Sequence, residues 1–179
     1  MRVMRKVPLL VLAPLAIASA AAIAQSREPV SALKGHNSDA PIDLTADRLE
    51  VQDRADRAMF SGNVKVRQDE LTLDTARLTV AYSSSGGVQI KRLDASGGVT
   101  VRSPSETARG AFGIYDLDRK LITLVGNVVL QRQGSQLTGQ RLVIDLDSGR
   151  AVIDGGPAGV GQSGGRVTGH FTVPQRRGS

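Results

Sequence analysis

Two pairs of carboxylates stand two residues apart, Asp116 with Asp118 and Asp145 with Asp147. On a strand that spacing puts both groups of a pair on one face, an arrangement that a calcium site or a glycosidase acid pair could use. Both pairs also fall where a hairpin should turn, in Asp116-Leu117-Asp118 and in Asp145-Leu146-Asp147-Ser148-Gly149. Acids in such places bond their own backbone, so turn formation is their expected role. There are only two histidines, His36 and His170, and no cysteine. Thiol chemistry is thereby excluded, and a Ser-His-Asp triad or a His-rich metal site has too few members to assemble. We expect no catalytic residue, no metal and no cofactor. Arg48, Arg77 and Arg141 each stand directly before an apolar residue, pointing away from its face. They serve solubility and edge protection, or else, with Lys65, Arg67, Arg102 and Arg132 as a head-group rim, they meet an anionic ligand such as phosphate.

The elements that would position these groups are strands. Apolar residues recur at spacing two from Pro41 to Asp154, in Ile42 and Leu44; Val64 and Val66; Leu71 and Leu73; Leu78 and Val80; Val99 and Val101; Phe112 and Ile114; Val128 and Leu130; and Leu142, Ile144 and Leu146. Asp, Thr, Lys, Arg or Gln separate the members, which is the period of strands with one face out of water. No stretch there has a 3.6-residue stripe with caps, so an all-β fold is predicted. Turn residues at 53–56, 68–70, 83–87, 104–107, 116–120, 133–135 and 147–150 make the connections short and the pairing antiparallel.

Two phrases repeat. Gly-[Asn/Gly]-Val-x-[Val/Leu] starts at Gly62, Gly97 and Gly126, and a second phrase carries apolar residues at Leu49, Leu78, Phe112 and Leu142. A period near 30 leaves room for about four short strands per unit and is too long for one coil of a parallel β-helix. Each Gly-[Asn/Gly] should make a turn or bulge where a strand bends. The apolar face holds many Val, Leu and Ile among only three Phe, two Tyr and no Trp. It suits flexible aliphatic chains better than sugars or flat rings, although a core filled by its own side chains would show the same periodicity.

The N-terminus carries Arg2, Arg5 and Lys6, an apolar run from Val7 to Ile17, and Ala22-Ile23-Ala24 before Gln25, the pattern of a cleavable signal peptide over 1–24. Export is expected; the alternative is a retained membrane anchor. Removing it leaves 20 basic and 17 acidic residues, a net charge of +3. With so few aromatics, that is not a nucleic-acid footprint. Residues 25–40 are expected to be a flexible lead-in, 155–165 a glycine-rich linker, 166–173 a last edge strand within a domain spanning 41–173, and 174–179 a disordered tail.

"PIDLTADRLEVQD" (41–53), "MFSGNVKVRQDELTLDTARLTV" (59–80) and "LVGNVVLQRQGSQLTGQRLVIDL" (124–146) resemble the OstA-like family. That resemblance implies an elongated, twisted antiparallel β-jellyroll whose groove holds the acyl chains of lipopolysaccharide and which performs no covalent chemistry. It also implies docking through edge strands to inner-membrane LptC-like and outer-membrane LptD-like components, with head-to-tail homo-oligomers. The groove-facing residues would be Leu44, Val64, Val66, Leu71, Leu73, Leu78, Val80, Val99, Val101, Phe112, Ile114, Val128, Leu130, Leu142 and Ile144. The alternatives are a membrane-anchored LptC-like subunit of the same pathway, a secreted carbohydrate-active enzyme on a β scaffold, and a structural filament or adhesin.

Overall fold

The computed structural model describes Leu33, residues 36–156 and residues 165–172. The leader, most of the lead-in and of the glycine-rich linker, and the tail lie outside the described residues. Among the described residues ten strands form one antiparallel sheet: β1 (Ile42–Thr45), β2 (Arg48–Gln52), β3 (Arg57–Gln68), β4 (Leu71–Ser83), β5 (Gln89–Arg102), β6 (Glu106–Asp116), β7 (Leu121–Arg132), β8 (Ser135–Asp145), β9 (Ala151–Asp154) and β10 (Thr168–His170). β3 to β8 pair in chain order. Each edge is split: β1 and β2 share β3, while β9 and β10 share β8. The connections fall at the turn residues that the sequence marks; the two residues Gln133 and Gly134, both at positive φ, suffice between β7 and β8.

The central strands are long, 11 to 14 residues each, so a unit of about 30 residues holds two strands rather than four. The repeated glycine phrase accounts for this, because it bends a strand without ending it. Gly62-Asn63, Gly97-Gly98 and Gly126-Asn127 are consecutive residues at positive φ, and the register slips at each pair. The first glycine of each pair lies under one residue of the preceding strand or edge. A Cβ on Gly62, Gly97 or Gly126 would stand 2.9 Å from the Cβ of Asp47, Ala76 or Ala111, closer than carbon atoms can approach. At Asp47 the fit is fastened by Asn63 Nδ2 donating to the carboxylate at 2.8 Å.

This line of bulges crosses the sheet and folds it into two leaves. Leaf A comprises β2, 57–61, 77–83, 89–96, 112–116, 121–125, 141–145 and β9. Leaf B comprises β1, 64–68, 71–75, 99–102, 106–109, 128–132, 135–139 and β10. Their inner faces make one core in which Leu124 and Leu142 are fully buried. Each such side chain removed from water contributes about 1.5–3 kcal/mol.

The bulges also change which residues face inward. In β3, β5 and β7 the inward set keeps one parity through the bend, as in Val64 after Phe60 or Val128 after Leu124. In β4, β6 and β8 it shifts: Thr75 is followed inward by Leu78, Ala108 by Gly113, and Gly139 by Leu142. Gly113 is therefore the counterpart of Leu78 and Leu142, and Phe112 stands where Arg77 and Arg141 stand in the other units. Phe112 was expected to face the groove; it is 58% exposed on the outer face. Ile114, expected beside it, shares its parity and turns away from the inner face that Gly113 and Tyr115 occupy.

The structured region starts before Pro41. Leu33 is buried in the core, and Gln68, 2% exposed, is bonded by the segment that follows Leu33. Its amide Nε2 donates to the carbonyls of Ser38 and Ala40, both at 2.9 Å. Its Oε1 lies 3.1 Å from His36 Nε2 and accepts from the Tyr115 hydroxyl at 2.9 Å. His36 is thus part of a closure at one end of the core.

Candidate functional site

The carboxylates and histidines do not converge. Asp116 Oδ1 accepts the backbone N–H of Arg119 at 2.9 Å, and Asp145 Oδ1 accepts those of Asp147 and Ser148 at 3.0 and 2.9 Å. The Ser148 N–H, more than any other group, holds the Asp145 carboxyl below its usual range. These acids are turn formers, as their positions in the sequence imply. Among the described residues no three His, Cys, Asp or Glu side chains are grouped to hold a metal.

What does converge is aliphatic. Val64, Val66, Leu71, Leu73, Leu78, Val80, Val99, Val101, Val128, Leu130, Leu142 and Ile144 all belong to the single core cluster between the leaves, with Leu44 half-buried against it. The pattern of spacing missed Leu93, Ala95, Ile122 and Leu124, which are equally buried. They stand at spacing two immediately before Gly97 and Gly126, and each bulge phrase could have been read backwards to find them. Tyr115 is a buried ring in this interior, and Phe60 packs half-buried against the same core; burial pushes the Tyr115 phenol up.

The interior is not uniform. The leaves are offset, so that leaf B of β3 meets leaf A of β6, three strands along, at the Gln68–Tyr115 hydrogen bond. In this region, between Leu73, Val101, Leu93 and Leu124, the remaining void is only about 20 Å³. By the same offset, leaf B of β7 and β8 should face strands beyond β9, and among the described residues only β9 itself stands there. A hollow of about 610 Å³ results, with Leu130 and Leu137 on one side, Ala151 and Ile153 on the other, and Val167 and Phe171 across the opening. At the far end of leaf A the converse holds. Among the described residues no leaf B strand lies opposite Leu49 and Val51 of β2, which are 53% and 54% exposed.

Of the four basic residues expected at a head-group rim, Arg132 lines the mouth of the hollow, across the register from the buried Glu106. Lys65, Arg67 and Arg102 alternate with inward residues and so lie on the outer face of leaf B, where Arg102 pairs with Asp74.

A family model described as the LptA/(LptD N-terminal domain) LPS transport protein matches residues 43–150. The chain belongs to that family. It is the OstA-like family to which the sequence phrases point, and its members are transport proteins rather than enzymes. An uncharacterized protein of Rhizobium meliloti (strain 1021) is 34% identical over 145 residues, 77% of each chain. The crystal structure of LptH from Pseudomonas aeruginosa, described as the LptA-homologous periplasmic component of a lipopolysaccharide transport device, superposes with a TM-score of 0.66 at 17% identity. That match covers 77% of this chain and 99% of LptH, so the folded sheet with open edges is the LptA-type jellyroll. No helix among the described residues is long and apolar enough to cross a membrane.

Proposed function

We propose that this LptA-family chain is a periplasmic lipopolysaccharide-binding bridge that carries the lipid from an inner-membrane extraction complex to an outer-membrane assembly complex. The observation that carries this reading is the continuous aliphatic interior between two leaves of a sheet whose edges stay open. Exposing one CH₂ to water costs about 0.8 kcal/mol, so a twelve-carbon acyl chain crossing the periplasm bare would face on the order of 10 kcal/mol. An interior lined by Leu44, Val64, Val66, Leu71, Leu73, Val99, Val101, Val128 and Leu130 on leaf B and by Leu78, Val80, Leu142 and Ile144 on leaf A removes that cost when the leaves part. The lining is nearly all Val, Leu and Ile, so no position is much stickier than its neighbour and a lipid does not stall.

The offset of the leaves favours head-to-tail association. One end exposes Leu49 and Val51 on leaf A; the other leaves a hollow beside Leu130 and Leu137 on leaf B, with Ala151 and Ile153 of β9 across it. A second copy adding its β1–β2 edge to the β9–β10 edge of the first would bring these surfaces together, as would LptC-like and LptD-like partners of the same fold. Edge strands, ordinarily a liability, are then the docking surfaces.

Native mass spectrometry of the protein purified from its own envelope tests this reading. The expected spectrum contains chains beginning at Gln25, lipopolysaccharide adducts, and dimers or longer forms. A spectrum of lipid-free monomers beginning at Met1 would refute it.

A further inference from the structure

Away from the bend, the free margins of the two leaves are joined by aliphatic packing and, among the described residues, by one side-chain hydrogen bond, from the Tyr115 hydroxyl to Gln68 Oε1. The stretch ahead of β1 lies across this seam. His36 Nε2 stands 3.1 Å from the same Gln68 oxygen, and the carbonyls of Ser38 and Ala40 take both protons of the Gln68 amide. Leu33 is sunk in the core beside them. Gln68 thereby has every polar site filled, two by accepting and two by donating. Without the stretch, a buried amide would keep one partner of four.

The fastening is confined to that node. Residues 36–40 pair with no strand, and their backbone bonds close turns: His36 N–H to the Leu33 carbonyl, Ser38 N–H to that of His36 and Ala40 N–H to that of Asn37. None of the five is buried, and among the described residues they reach the leaves by hydrogen bond only at Gln68. Against the margin of leaf A, at Gln89, Ile90, Lys91 and Leu117, residues 38–40 leave an open polar cleft of about 550 Å³ in place of packed contact. Ser38 Oγ is buried near the Tyr115 phenol without a well-formed hydrogen bond, and it regains water when the stretch lifts away. Lifting it dismantles no part of the sheet.

We propose that Leu33 and residues 36–40 form a releasable latch across the leaf margins, with Gln68 as its keeper, and that the leaves part only after this latch lifts. Pro41 alone separates it from the edge strand β1, so displacement of that edge is passed to the latch directly. The inference takes its use from the lipid-carrier reading above. It states what holds the interior shut, and the latch is a property of the chain before any lipid arrives.

The chain has no cysteine, so two can be introduced for spin labels. Glu70→Cys marks the β3–β4 turn on leaf B and Arg119→Cys the β6–β7 turn on leaf A, both at exposed positions. Pulsed electron paramagnetic resonance on the full mature protein then reads the distance across the seam. The otherwise native chain should show one narrow distance, and Leu33→Ser should add a longer one. Should Leu33→Ser lose its far-ultraviolet β signal, the milder His36→Ala, which removes a single hydrogen bond, should still raise the open-to-closed ratio about fivefold. Purified lipopolysaccharide should bring out the longer distance in the native chain, and do so faster in either variant. An unchanged distance in the folded variants overturns the latch, as does a native chain that takes up lipopolysaccharide with no change in distance; both leave the carrier reading standing. Variants that open yet take up no lipopolysaccharide uphold the latch and overturn the carrier reading.

Discussion

The two ends of one sheet, built from the same repeated unit, do opposite things with their apolar faces. Around β3 to β6 the leaves meet, the void shrinks to about 20 Å³, and Leu33, His36, Gln68 and Tyr115 close the end. Around β7 to β9 the same aliphatic residue types leave about 610 Å³. Val and Leu line both, and the hollow also takes in Glu106, Arg132, Gln133, Ser135 and Thr172. The offset between leaves underlies the difference: it gives every strand in the middle a partner across the core and, among the described residues, leaves the last strands of leaf B facing β9 alone. A repeat protein of this kind is filled where neighbours exist and hollow where the repeat stops.

That contrast can be broken most sharply by truncating one leucine at each end. Leu124→Ala, in a fully buried site, should cost about 3–5 kcal/mol in urea melts, whereas Leu137→Ala at the hollow should cost about 1 kcal/mol because less contact is lost. Equal losses would mean that the hollow is closed in solution. Next in size is the closure. Gln68→Leu strands the Tyr115 hydroxyl and the carbonyls of Ser38 and Ala40, at about 2–3 kcal/mol, while Tyr115→Phe removes one bond and costs about 1 kcal/mol. Because burial raises the Tyr115 phenol, the neutral ring is favoured in the fold; its contribution is in place below about pH 10 and is lost as pH rises through the folded value. A urea midpoint that falls between pH 9 and 11 in the native chain, and falls less in Tyr115→Phe, is the expected result.

The bend between the leaves comes third. Gly97→Ala puts a Cβ at positive φ against Ala76 and should cost about 2 kcal/mol. The smallest effect is the most diagnostic of the repeat. Phe112→Arg restores the residue type that Arg77 and Arg141 have at the equivalent place and should change stability by no more than about 0.5 kcal/mol. A large loss would return Phe112 to the core.

Much of this was legible in the residues. Strand class, turn positions and most of the inward set derive from spacing two and from turn chemistry, both of which are local. The bend was legible too, because Gly-Asn and Gly-Gly in mid-strand have few other uses. Phe112 was misplaced for a physical reason: an even-numbered strand loses one step of parity at the bulge, and a large apolar residue attracts the alignment that belongs to Gly113. Leu93 and Leu124 carry a fainter mark, since they lie on the N-terminal side of a bulge whose repeated phrase begins only at the glycine. The offset of the leaves, and with it the hollow, left no local mark, since it arises from twist accumulated over several strands.

The central claim is that lipid occupies the space between the leaves. Photocrosslinking from single positions, with lipopolysaccharide added for increasing times, addresses it directly. Adducts should accumulate from Leu130, Leu137, Leu73 and Leu124 on the inner faces, and not from Phe112 or Arg141 on the outer face. Adducts from Phe112 or Arg141 as early and as abundant as those from Leu130 would contradict the account.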